Sequence, residues 1–363
     1  MSAIQKAEQP NLKRAENLPP RGNALVCLLA CCWVSLATAA TPERDEAVVK
    51  GVNYIGVSVS DLSAAVGFYR ESADLEAVID QALDENVVSA LTGTASQPAQ
   101  TSLLKSVNAQ LRFMEFATAE RDASDVAPVA VNGPGIAHIC YQVADDTRTY
   151  QRFLAAGATH IGERELVQLN PRNAVVYAYG TDPDGIMFEV EHIDFSAISR
   201  PRKNDYRIRH VSLATPDMAP MLAFYSTLME EPDPRRSGIG GTLGGEQFDQ
   251  VSGLPGTRLE MAWFQVRNLE LEIIQYHSHP TEVPAQPRPL QATGYNMVMF
   301  DVADLAAAES LVREAGGTIV SGTLAMDGGE AFFARDPDGN LLGFQHLPQT
   351  SVFTSRNFPD NGT

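Results

Sequence analysis

Cysteine is nearly missing from the body of this chain. Four cysteines occur in 363 residues, and Cys27, Cys31 and Cys32 all fall before residue 41. Only Cys140 lies further on, so no intrachain disulfide framework is available there. The apolar residues around Cys140 make it a small buried hydrophobe. Basic residues are also short: 27 Lys and Arg against 45 Asp and Glu give a formal net charge of -18. That balance argues against nucleic-acid binding, which needs a basic face, and equally disfavours an anionic membrane surface. No zinc-finger or Walker spacing is present. Gly238-Ile-Gly-Gly-Thr-Leu-Gly-Gly245 lacks the Lys-Ser/Thr ending and the strand-to-helix context of a phosphate loop and reads as a mobile loop over the mouth of a binding cavity. The apolar run Ala24–Leu36 is too short to span a bilayer comfortably.

That run has another reading. Lys13, Arg14 and Arg21 precede it, and Ala37-Thr-Ala-Ala40 follows it. A basic region, a short apolar core and a small-residue site describe a secretory signal peptide over residues 1–40. The expectation is a mature protein beginning near Ala40 or Thr41, in the periplasm or secreted. A buried N-terminal helix is the plainer alternative. Leu28-Leu-Ala-Cys31 also resembles a lipoprotein cleavage box, after a very short apolar stretch.

What the chain has is internal repetition. Gly135-Ile-Ala-His-Ile-Cys-Tyr-Gln-Val-Ala-Asp aligns with Gly294-Tyr-Asn-Met-Val-Met-Phe-Asp-Val-Ala-Asp, and Asp182-Pro-Asp-Gly recurs as Asp336-Pro-Asp-Gly. Asn53-Tyr-Ile-Gly-Val-Ser-Val-Ser-Asp-Leu aligns with Arg209-His-Val-Ser-Leu-Ala-Thr-Pro-Asp-Met, each entering a helix with a Phe-Tyr pair, Phe68-Tyr69 and Phe224-Tyr225. Both then share a Val-Ser-x-Leu-x-Gly stretch, Val88 to Gly93 and Val251 to Gly256, expected as loop. Four modules result, over residues 50–118, 133–195, 205–280 and 291–347. They form two halves, 50–195 and 205–347, with a frayed polar tail over 349–363.

These features resemble the vicinal oxygen chelate superfamily, which includes glyoxalases, bleomycin-resistance proteins and extradiol dioxygenases. The resemblance covers about residues 50 to 347. It implies an α+β fold of four βαβββ modules forming two cups. It also implies ligand positions on the first and last strand of each module, because alternate residues of a strand share a face. Those positions hold Tyr54 and Arg112, His138 and Glu189, His210 and Glu272, and Met297 and Gly343. Only the second and third modules keep a His and a Glu. If neighbouring modules pair, each cup holds half a ligand set, and adjacency in sequence favours that arrangement. If the second pairs with the third, His138, Glu189, His210 and Glu272 make a complete site for zinc, iron, nickel or manganese. Completeness favours this second arrangement. The other cup would then be a metal-free substrate cavity lined by Tyr54, Arg112 and Met297. His277 and His279 read as the solvated end of a strand, and His160 and His192 as surface or rim.

The resemblance implies a metal-dependent lyase or isomerase acting on a small substrate with vicinal oxygens, with Glu189 or Glu272 as general base. Two alternatives stand: an extradiol-type dioxygenase, and a non-catalytic binding protein for a small planar ligand. An exported protein would meet little glutathione or coenzyme A. No nucleic acid and no membrane span are expected.

Overall fold

The computed structural model describes residues 47–93, 98–117, 126–197 and 206–359. The expected signal peptide, residues 1–40, lies outside the described residues.

The first module runs β1 (Val49–Ser58), α1 (Leu62–Ala73), β2 (Glu76–Asp80), α2 (Glu85–Thr92), β3 (Gln100–Lys105) and β4 (Gln110–Glu115). The second runs β5 (Gly135–Ala144), α3 (Thr149–Ala155), β6 (Thr159–Ile161), β7 (Val175–Thr181) and β8 (Met187–Ile193). The third runs β9 (Tyr206–Ala214), α4 (Met218–Leu228), β10 (Arg235–Ser237), β11 (Leu243–Gly244), α5 (Glu246–Ser252), β12 (Arg258–Val266) and β13 (Leu269–Tyr276). The fourth runs β14 (Gly294–Val302), α6 (Leu305–Glu314), β15 (Thr318–Met326), β16 (Gly329–Arg335) and β17 (Leu341–His346). Among the described residues no helix is long and apolar enough to cross a membrane.

Local chemistry explains the boundaries. Asp61, Asp217 and Asp304 cap α1, α4 and α6, each side chain accepting a backbone N–H of the first turn. The stretch expected as loop after Val88 is instead the end of α2. Val87, Val88 and Leu91 bury one helical face, Asp84 caps the start, and Gly93 closes it at φ 70°. Gly253 ends α5 in the same way.

The sheets settle the pairing. β5 runs antiparallel to β9, so modules two and three share a nine-stranded sheet ordered β10-β12-β13-β9-β5-β8-β7-β6, with β11 beside β12. β1 runs antiparallel to β14, so modules one and four share an eight-stranded sheet ordered β15-β16-β17-β14-β1-β4-β3-β2. Each sequence half therefore sends one module to each cup. Within each half, the two modules pack through their helices instead. α1 and α3 bring Phe68 and Tyr69 against Phe153 in a core cluster drawn from all four modules. Tyr69 donates to Asp182 at 2.8 Å, and Tyr225 to Asp336 at 3.0 Å. The Phe-Tyr pair of one module thus anchors the Asp-Pro-Asp-Gly turn of the next.

The tail departs from expectation. Instead of fraying, residues up to 359 fold back on the first and fourth modules. Phe353 is buried, and Thr354 and Ser355 donate to Asp301 at 2.8 and 3.0 Å. Arg267 donates to Phe358 O at 2.7 Å. A buried aromatic and satisfied backbone groups hold a segment that looks polar in sequence.

Candidate metal centre

The nine-stranded sheet brings together all four side chains expected as ligands. β5 and β9 lie side by side at its middle, with Cys140 opposite His210 and His138 opposite Ser212. β8 flanks β5 and places Glu189 beside Cys140, while β13 flanks β9 and places Glu272 beside Ser212. The two halves of the site are thus related by a local two-fold axis. A β-bulge precedes each histidine, at Ala137 and at Arg209, and re-aims the imidazole.

His138 and His210 Nε2 are 3.4 Å apart. Glu189 Oε2 lies 3.4 Å from His138 Nε2 and 3.1 Å from His210 Nε2. Glu272 Oε2 lies 3.7 and 3.5 Å from the same atoms. All four residues are at most 6% exposed. Burial alone disfavours charge on Glu189, yet hydrogen bonds with the two imidazoles hold its carboxyl well below the ordinary range. Burial likewise opposes an imidazolium at His210, but the Glu272 and Glu189 carboxylates outweigh it and raise the ring.

This donor set fits a divalent cation. Donors about 2.0–2.2 Å from one ion, at angles of roughly 90–110°, stand about 2.8–3.6 Å from one another. Five of the six separations among these donors run from 3.1 to 3.7 Å; His138, His210 and Glu272 form one group with ligand atoms within 4.8 Å of one another, and Glu189 groups with Cys140 and His210. Two neutral imidazoles and two carboxylates suit zinc, iron, nickel or manganese. The sequence reading missed Cys140, whose sulfur also lies within reach of Glu189 and His210. Strand alternation from His138 could have found it. Burial, reinforced by Glu189, pushes its thiol well up, which disfavours a thiolate ligand.

Residues 51–190 and 207–344 each match the Glyoxalase/Bleomycin resistance protein/Dioxygenase superfamily. The chain belongs to this superfamily. Glyoxalase I from Zea mays is similar in fold, with a TM-score of 0.57 at 16% identity, covering 82% of this chain and 92% of that one. A putative dioxygenase from Bacillus subtilis has a TM-score of 0.54 at 10% identity, covering 83% and 86%. Comparison with curated proteins gives no match. In this glyoxalase-superfamily chain the cups have diverged. Tyr54, Arg112 and Met297, expected to line a second substrate cavity, are each 0% exposed. Side chains that water cannot reach line no cavity, so that expectation is corrected: they belong to a filled interior. Arg112 pairs with Asp327 at 2.8 Å and lies 5.0 Å from the Phe353 ring centroid, a cation–π distance. At the last-strand position of module four, a Cβ on Gly343 would sit 2.6 Å from the Met299 sulfur, so apolar packing has taken the carboxylate's place.

The remaining histidines do not join either cup's centre. His192, expected at the surface or rim, is buried, and its Nε2 accepts from Tyr150 N at 3.2 Å. His277 bonds Glu260 at 3.0 Å. Glu260 also accepts from Gly240 N at 3.1 Å and so hooks the glycine-rich loop to β12.

Proposed function

We propose that the central cup is the active site of a metal-dependent lyase or isomerase acting on a small substrate with vicinal oxygens. The observation that carries this reading is the convergence of His138, Glu189, His210 and Glu272 from two modules that belong to different halves of the chain. A divalent ion held by these four side chains would supply Lewis-acid stabilisation of charge developing on two neighbouring substrate oxygens. Glu189 is tied to both imidazoles at 3.1 and 3.4 Å and is held a weak base. Glu272 stands further from both, at 3.5 and 3.7 Å, and is the better placed of the two to take a proton from substrate carbon. Burial of all four excludes bulk water, and Tyr179, whose ring centroid is 5.4 Å from that of His138, walls one side.

The test is metal analysis of the purified protein, followed by deuterium exchange at the α-carbon of 2-hydroxycarbonyl compounds. One ion per chain is expected. His138→Ala and His210→Ala should each abolish stoichiometric binding. Protein that takes up no divalent ion sinks the reading and leaves a binding protein. Oxygen uptake with catechols, in place of proton exchange, would assign it to the dioxygenases.

Export is part of the same proposal, supported by the basic, apolar and small-residue order of residues 13–40. N-terminal sequencing of native protein should begin near Ala40 or Thr41. An intact Met1 on the functional form would overturn it.

A further inference from the structure

Arg209 is the extra residue of the bulge before His210: Cys140 pairs with His210 and Tyr141 with Ile208, leaving Arg209 unopposed. It donates to Glu191 through Nη1, and to Glu270 through Nε at 3.3 Å. Glu191 lies two residues after Glu189 on β8, and Glu270 two residues before Glu272 on β13, so each shares its ligand's face. From the middle of the sheet, one guanidinium therefore ties together the two strands that carry the carboxylate ligands. Neighbours brace it. Gln142 donates to Glu191 at 2.6 Å, and Arg235 donates to Glu270 at 3.1 Å. Arg235 also lies 3.9 Å over the ring of Trp263, the register partner of Glu272.

The other cup provides an internal control. Its corresponding positions hold Asn53, the extra residue of the bulge before Tyr54; Gln345, two after Gly343; and Gln110, two before Arg112. They are bonded too: Asn53 Nδ2 donates to Gln345 at 3.0 Å, and Gln110 donates to the Asn53 carbonyl at 3.0 Å. With the tail and Asp327 as their further partners, neutral amides satisfy the fold at these three places. The charged set occurs in the cup that keeps the ligands. There, four carboxylates are gathered in one cup, Glu189, Glu191 and Glu272 buried and Glu270 half-buried, and buried anions need fixed positive partners.

We propose that Arg209, with Glu191 and Glu270, is a positioning device for the metal centre, fixing the strands that present Glu189 and Glu272 and supplying the charge that lets four carboxylates share one cup. The proposal rests on the metal-centre reading. Arg209 itself contacts no ligand atom and acts through its two partners.

The experiment converts this set into that of the other cup, in the full chain: Arg209→Asn with Glu191→Gln and Glu270→Gln. Metal affinity is read by titrating zinc against a competing chelator, and site geometry by the absorption bands of the cobalt-loaded protein. The metal-free variant should melt within a few degrees of the parent, as its sister cup folds with amides. Its Kd should rise roughly 10–100-fold, the usual effect of losing support around metal ligands, and the cobalt bands should shift. Arg209→Lys should lose less affinity than the triple variant. A Kd within about twofold of the parent with unchanged bands would overturn the proposal, leaving the set as sheet glue. Should the triple variant not fold, Glu270→Gln alone is read by the same two measurements: a weaker Kd with shifted bands supports the device, and an unchanged pair overturns it. A parent protein that binds no metal overturns the metal centre itself, a result distinguishable from a parent that binds and a variant whose affinity is unchanged.

Discussion

At the scale of single residues, burial sets protonation at the turns as strongly as at the cup. Burial pushes the Asp182 carboxyl up to about 6, against hydrogen bonds from Ile186 N, Tyr69 and Asp184 N that favour its charged form. A raised folded-state value means that this group stabilises the fold fully below its unfolded value of about 4. The contribution is lost as pH rises through about 6. Asp182→Asn keeps an oxygen for the two backbone N–H groups, and the Tyr69 hydroxyl can reorient to accept. The variant should gain on the parent in melting temperature as pH rises from 5 to 8, with the gap closing near pH 4. Parallel melting curves across that range would show that Asp182 does not titrate in the fold.

At the scale of elements, the tail is the plug of the second cup. Phe353 packs against Tyr54 and over Arg112, both inaccessible to water. Phe353→Ala should cost about 3 kcal/mol by leaving a cavity, read as a lower denaturant midpoint with unchanged slope. Metal affinity at the central cup should not move, since independent distant sites add. A coupled loss of metal would mean that the two cups communicate. Four bulges, at Asn53, Ala137, Arg209 and Asn296, precede the four first-strand positions. That shared irregularity keeps the filled cup recognisable after its ligands have gone.

At the scale of the whole molecule, the halves 47–197 and 206–359 are each incomplete. Either half alone leaves the edges of two first strands unpaired, β1 and β5 in one, β9 and β14 in the other. Unpaired long apolar edges invite association. Each half expressed alone should aggregate or self-associate and bind no stoichiometric metal. Co-expressed halves should copurify as one complex and recover the ion, read by size-exclusion chromatography with metal analysis. A soluble monomeric half that holds one tight ion would contradict the cross-half cup.

Periodicity and repeats determined much of this from sequence alone. The strand-helix-strand modules and the Asp-Pro-Asp-Gly turns are local patterns within some sixty residues and are legible in the residues themselves; the ligand positions followed from the family resemblance those patterns carry. The alignment also showed which modules had kept ligands. It left the pairing open, because an apolar first strand such as β5 matches β1 or β9 equally well by pattern. Only the fold chose β9, by laying the helices of neighbouring modules together and leaving the strand edges to meet across the halves. The same limit hid Arg209, Glu191 and Glu270, which meet only when β13, β9, β5 and β8 stand side by side. The tail failed for a related reason: Phe353 is one aromatic among polar residues, and its partners, Tyr54 and Arg112, lie some three hundred and two hundred and forty positions away.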